Sequence, residues 1–190
     1  MKLNLSKSQY VRGTRCPLSL WYFKNRKDIE RIVSEQSQQI MEGGQKVGEL
    51  AQKRYPEGVL ISEAYNELDK AIVSTTEAVR NGKTTLFEAI AVTPDGNYAR
   101  IDIFRKVPNF DEWDLIEVKC STDIKEYFLD DVAFQRHVFE EAGYKIRKSI
   151  LMHVDGEYLR EGEIDLHKFF KEVDLTEEAK SKKSEVINLI

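Results

Sequence analysis

Trp113-Asp-Leu-Ile-Glu117-Val-Lys119 closes an apolar run with an acid and a lysine two residues apart. The run before it, Ala99-Arg-Ile-Asp102-Ile-Phe104, carries an acid in the same kind of setting. Both stretches hold the β-branched and aromatic residues that suit a strand. Strand side chains alternate between faces, so Glu117 and Lys119 share one face while Val118 points to the other. If the two strands are neighbours, Asp102 and Glu117 converge. Charged groups at the ends of buried strands need a partner, and a bound metal ion is a natural one.

Working outward, Pro94-Asp-Gly96 is a hairpin signal that joins a strand at about 85–93 to one at about 97–105, with a third at about 113–119. A helix is expected from Tyr127 to Ala142, with Phe128, Val132 and Phe139 on one face and Gly143 as its stop. Ser149 to Val154 reads as a further strand. Upstream, Val59-Leu-Ile61 is a short strand candidate and 66–81 a helix halted at Asn81-Gly82. A long helix is expected over 27–55, broken near Gly43-Gly44, with Ile40, Val47, Leu50 and Ala51 on its apolar side. Ser6 is placed to cap a first short helix and Pro17 to begin a second. The tail from Ile164 to Ile190 reads as charged and helical, with no evident partner for Val186, Ile187, Leu189 and Ile190. This order predicts an α/β fold, a mixed sheet with helices packed on it.

Bulk properties bound the reading. At 190 residues, 41% hydrophobic and 33% charged, the chain suits one ordinary globular domain. No apolar run approaches the roughly 18 residues of a membrane span. The opening residues lack the apolar centre of a signal peptide, and the two cysteines make no disulfide framework, so a cytoplasmic protein is expected. The net charge of −4 argues mildly against tight nonspecific DNA binding, yet a metal site is acidic by construction.

Mg²⁺ and Mn²⁺ prefer hard oxygen ligands, so Asp102, Glu117 and the carbonyl of Val118 form a candidate metal set. Lys119 is placed to orient an attacking water or stabilise transition-state charge. The competing reading is an exposed cross-strand ion cluster. Glu88, inside Leu86-Phe-Glu88-Ala, is either a further ligand or a solvent-facing residue at an edge. Asp131 and Gln135 share a helix face, where Gln135 either binds phosphate or forms a surface polar pair. His137 and His153 lack partners at metal-ligand spacing. Cys16 would need three more thiolates for an iron–sulfur cluster, and only Cys120 remains.

Glu88-Ala, Ala-Arg-Ile-Asp102, Ile-Glu117-Val-Lys119 and Asp131-Val-Ala-Phe-Gln135 together resemble the RecB-like branch of the PD-(D/E)XK nucleases. That branch includes the CRISPR-associated exonucleases. The opening Leu5-Ser-Lys-Ser with Cys16-Pro17-x-x-Leu20-Trp21 looks closer to a related bacterial family carrying such a module at its N-terminus. The resemblance covers about residues 4–175. It implies a restriction-endonuclease-like fold over 1–175, with 176–190 as a helical tail: either the start of a further C-terminal region, or part of a cluster-free form in which Cys16 is a remnant. It also implies Mg²⁺ or Mn²⁺ on Asp102, Glu117 and Val118, water assisted by Lys119, and catalytic parts for Glu88 and Gln135.

DNA would be the substrate, single-stranded ends favoured, with protein partners in repair or defence and no membrane role. A catalytically weak or inactive nucleic-acid-binding module is the alternative. Three positions depart from the family pattern. Phe139 stands where the Gln-x-x-x-Tyr motif has its tyrosine. The expected helix histidine is missing after Gly44-Gln-Lys-Val-Gly48, leaving Glu49 as a substitute. Cys16 matches the first cluster cysteine, and a cluster would need completion outside this chain.

Overall fold

The hairpin signal at Pro94-Asp-Gly96 folds as the sequence predicts. In the computed structural model, which describes residues 4–26, 28–29 and 34–190, β2 (Thr85–Val92) pairs antiparallel with β3 (Tyr98–Lys106). Gly96 takes the left-handed backbone of the turn, with φ at 87°. β3 pairs antiparallel with β4 (Trp113–Lys119), and β4 runs parallel to β5 (Ile146–Val154). Parallel neighbours need a crossover, and α5 (Glu126–Glu141) supplies it. Two short strands complete the sheet: β1 (Val59–Leu60), parallel to β2, and β6 (Phe170–Asp174), antiparallel to β5. The result is an open six-stranded mixed sheet in simple order from β1 to β6.

Helices flank it. α1 (Lys7–Arg15), α2 (Pro17–Asn25), α3 (Glu35–Gln52) and α4 (Leu68–Arg80) come before or between the early strands. α6 (Leu166–Phe169), α7 (Thr176–Ser181) and α8 (Lys183–Leu189) come late. One face of the sheet packs Leu86, Phe104, Trp113, Leu115 and Leu151 against Phe128, Val132, Phe134 and Phe139 of α5. The other packs Phe87, Ile103, Ile116, Ile150 and Met152 against Val47 and Ala51 of α3. Among the described residues no helix is long and apolar enough to cross a membrane.

The two faces exchange places at one point. Phe87 and Ile103 pair and face α3, whereas Ala89 and Ile101, the pair two residues on, face α5. Strict alternation would keep both pairs on one side. The slip falls at Glu88 and Asp102, which stand opposite each other between those pairs. Glu88 absorbs it with a left-handed backbone, φ 57°, unusual for a residue with a Cβ.

Several details differ from the sequence reading. α3 runs unbroken through Gly43-Gly44, because a helix tolerates glycine at a cost of only about 1 kcal/mol each. Of the expected helix over 27–55, residues 27 and 30–33 lie outside the described residues. Ile40 is exposed rather than on the packed side of α3. α5 is not half-exposed: every residue from Asp131 to Phe139 is buried, because α1, α7 and α8 cover its outer side. The tail therefore has a partner at Val186, buried with Ala179 in the main core, whereas Ile187, Leu189 and Ile190 are exposed as the sequence reading expects. His137 and His153 are both buried. Their place is in packing.

Gly58 offers a packing test. A Cβ there would stand 2.1 Å from Cζ of Phe87, whose ring is buried in the core. Gly58→Ala is expected to cost about 1–3 kcal/mol, the usual range for overpacking, read by urea unfolding. A variant as stable as the parent would show that the Phe87 ring yields freely.

Candidate active site

The β3–β4 ladder ends at Ile103↔Ile116. One step further along the same register stand Asp102 and Glu117, where backbone pairing has stopped. The N–H of Val118 donates instead to Oδ2 of Asp102 at 2.6 Å, a side chain standing in for a backbone acceptor. The slip opposite Glu88 turns the Asp102 carboxylate toward β4 at this point. Glu88, Asp102 and Glu117 therefore form a short acidic row across three neighbouring strands. β1 pairs with β2 only as far as Phe87, one residue short of Glu88.

Glu117 is the hub of a network on the α5 side. Its Oε1 accepts from Lys119 Nζ at 2.6 Å and from Lys7 Nζ at 2.8 Å, and its Oε2 accepts from Gln135 Nε2 at 2.6 Å. Lys119 also donates to Asp131, which lies 3.5 Å from Lys7 and accepts a longer bond from Gln135. Asp131 and Gln135 face the sheet together because they are four apart on α5. Oε1 of Gln135 is buried without a hydrogen-bond partner among the described residues.

Lys7 is delivered by local structure. Ser6 caps α1 through a capping box with Gln9, which makes Lys7 the first helical residue. The chain before it is tied to the hairpin: Asn4 N–H donates to Gly96 O, Leu5 N–H to Asn97 Oδ1, and Tyr98 N–H to Leu5 O. Tyr10 stacks on Phe134 of α5 with ring centroids 4.6 Å apart. A segment from the far N-terminus is thus held over the site.

Charge balance explains the protonation states. Four carboxyl groups (Glu88, Asp102, Glu117, Asp131) share two ammonium groups, with Arg100 beyond Glu88. Burial alone would push Glu117 up, but Lys119 and Lys7 together outweigh it and hold the carboxyl well below the usual range. Asp102 goes the other way: burial, then the Glu117 charge, raise it well above its ordinary value. Asp131 is raised by burial and Glu117, and Glu88 by burial. Burial works to lower Lys119 and Lys7, yet Glu117 and Asp131 hold both above the ordinary lysine value. Both are ammonium ions at neutral pH.

The acidic row floors a cleft of about 760 Å³, walled on one side by Gly44, Gly48 and Glu49 of α3. Nothing lies within 4 Å of where a Cβ would stand at Gly44 or Gly48, so that wall is low. A second cleft of about 490 Å³, lined by Lys7, Phe23, Tyr65 and Tyr98, reaches Glu88 and Asp102 from the α1 side. The row is approachable from both.

Asp102, Glu117, Val118, Lys119, Glu88 and Gln135 thus come together. Cys16 does not: it is exposed at the N-cap of α2, where its Sγ accepts from Ser19 N–H at 3.4 Å. Cys120 is exposed as well. Phe139 packs 5.0 Å from Phe104 in the core, so a hydroxyl at that position would be buried away from the cleft. Lys7 is the residue that sequence reasoning missed. A lysine in a helix's first turn opposes the helix dipole, a weak signal that names no partner. Asp131 was legible only as a companion of Gln135. Among the described residues, no group of three His, Cys, Asp or Glu side chains is set to hold a metal ion.

No protein-family model matches the chain, and a search of curated proteins finds no match.

Proposed function

We propose that this chain is a metal-dependent deoxyribonuclease of the PD-(D/E)XK type, with a restriction-endonuclease-like fold. It hydrolyses phosphodiester bonds at DNA ends, single-stranded ends favoured. The observation that carries this reading is the meeting of Asp102 and Glu117 where β3 and β4 part, with Lys119 on the Glu117 face.

A divalent cation fits the residues present. Among the described residues Asp102 has no cationic hydrogen-bond partner, and burial, then the Glu117 charge, raise its carboxyl. Mg²⁺ usually keeps several waters and takes only one or two carboxylates, so a three-acid group is not required. Asp102, Glu117 and the Val118 carbonyl would hold the ion. When bound, it supplies polarisation of the phosphate and a lowered pKa for water.

The chain's own residues do the rest. Lys119, held as ammonium by Glu117 and Asp131, is a donor rather than a base. It orients the attacking water and stabilises charge growing on the phosphoryl oxygens as the P–O bond to the leaving group breaks. Gln135 and Asp131 fix Glu117 and Lys119 in place. One observation favours the second reading, a nucleic-acid-binding module that does not cleave: Lys7 already occupies a Glu117 oxygen.

End-labelled single-stranded and duplex DNA incubated with Mg²⁺ or Mn²⁺ tests the proposal. Cleavage is expected, lost on chelation and lowered about 10²–10³-fold by Lys119→Met, the usual effect of removing one electrostatic group. DNA binding without cleavage under either ion would favour the module instead.

A further inference from the structure

We propose that Lys7 is an internal counter-cation of the carboxylate site, and that a divalent ion takes Glu117 by displacing its ammonium. The inference rests on the metal reading above. It starts from a geometric conflict. Lys7 Nζ lies 2.8 Å from Oε1 of Glu117, an oxygen that also takes Lys119 at 2.6 Å. Gln135 takes the other oxygen. A carboxylate oxygen has two lone pairs, so Oε1 is filled by its two ammonium donors. A metal ion on Oε1 must therefore remove one of them, and an ion on Oε2, which keeps one lone pair beside the Gln135 bond, would still meet the Lys7 charge on the same carboxylate.

Lys7 is the one able to leave. Lys119 is held at two points, by Glu117 and by the close contact with Asp131, and it belongs to the same strand as Glu117. Lys7 comes from another element, and its contact with Asp131 is long, at 3.5 Å. Its side chain also borders the cleft on the α1 side, with Tyr65, Arg100 and Asp102, so the ammonium has space to swing into. There it would lie beside any phosphate brought to the acidic row. The swap exchanges one cation for another and leaves no buried carboxylate bare.

A bound internal cation lowers apparent metal affinity by the fraction of molecules in which it has let go. Mn²⁺ binding, followed by loss of the free-ion electron paramagnetic resonance signal in the absence of DNA, reads this directly. If Lys7 is released in about one molecule in ten, Lys7→Met binds Mn²⁺ about tenfold tighter than the parent. Lys7→Arg, which keeps the charge, does not gain. In the parent, Mg²⁺ also raises the reactivity of the Lys7 amine toward an acylating reagent, located by peptide mass. A gain in affinity without that rise would reflect charge alone, and would overturn displacement. Equal Mn²⁺ affinity in parent and Lys7→Met would overturn the proposal while leaving the metal site standing. No binding sensitive to Asp102→Asn in either protein would overturn both.

Discussion

Asp102→Asn is expected to stabilise the metal-free protein while lowering its Mn²⁺-dependent DNA cleavage about 10²–10³-fold. The two effects have one cause. Asp102 is half-buried, accepts from the Val118 N–H, and is raised by burial and by the Glu117 charge more than Lys7 lowers it. Asparagine can still accept from Val118 but carries no charge. With partial solvent screening the gain is about 1 kcal/mol. In a chain of this size that is about 2–4 °C in melting temperature.

The pH dependence has a definite sign. Because the Asp102 carboxyl is held above its unfolded value, the folded chain keeps a proton that the unfolded chain has shed. Its contribution to stability is therefore greatest at low pH and falls as pH rises through the raised value. Asp102→Asn flattens that part of the profile. A metal-free melting temperature that drops on substitution would show that Asp102 is an ordinary structural acid.

Glu117→Ala is expected to do the opposite to stability, with a larger effect. Glu117 is 3% exposed and joins Lys7, Lys119 and Gln135. Its removal leaves two partly buried ammonium ions to share Asp131. Breaking a buried ion pair from one side costs about 3–5 kcal/mol, and chemical denaturation should report a loss of that size. Cleavage should vanish too. The pH signature is also reversed. Glu117 is held below its unfolded value, so its contribution is present at neutral pH and lost only as pH falls into the acid range. A near-neutral substitution would mean that the network around Glu117 does not hold α1 and α5 to the sheet. Two acids meeting at one point are thus predicted to have opposite effects on stability. A structural ion cluster would destabilise on loss of either.

The strands that place these acids were legible in the sequence because their apolar residues are dense and Pro94-Asp-Gly96 marks the turn. β6 was not. Phe170-Lys-Glu-Val-Asp174 is a five-residue edge strand with three charged residues, and only Phe170 is buried. Such a strand reads as loop or helix from pattern alone. The partner for Val186 was equally hidden. α5 is buried on the side away from the sheet as well, and only a folded view shows α7 and α8 covering it. At the site, Asp102, Glu117 and Lys119 could be paired because they lie on consecutive strands. Lys7 lies 110 residues from Glu117, and no local spacing connects them. The slip at Glu88 was invisible for a different reason. Nothing in Leu86-Phe-Glu88-Ala forbids regular alternation, and only the register reveals the turnover.

The central claim is that Asp102 and Glu117 hold a divalent ion. Thermal unfolding of the parent and of Asp102→Asn across a Mn²⁺ titration tests it most directly. A ligand that binds only the folded state raises the melting temperature with its concentration. The parent should begin lower than Asp102→Asn without Mn²⁺ and rise steadily as the ion is added, while Asp102→Asn stays flat. Two titrations that rise together, or that both stay flat, would contradict a metal site at this pair.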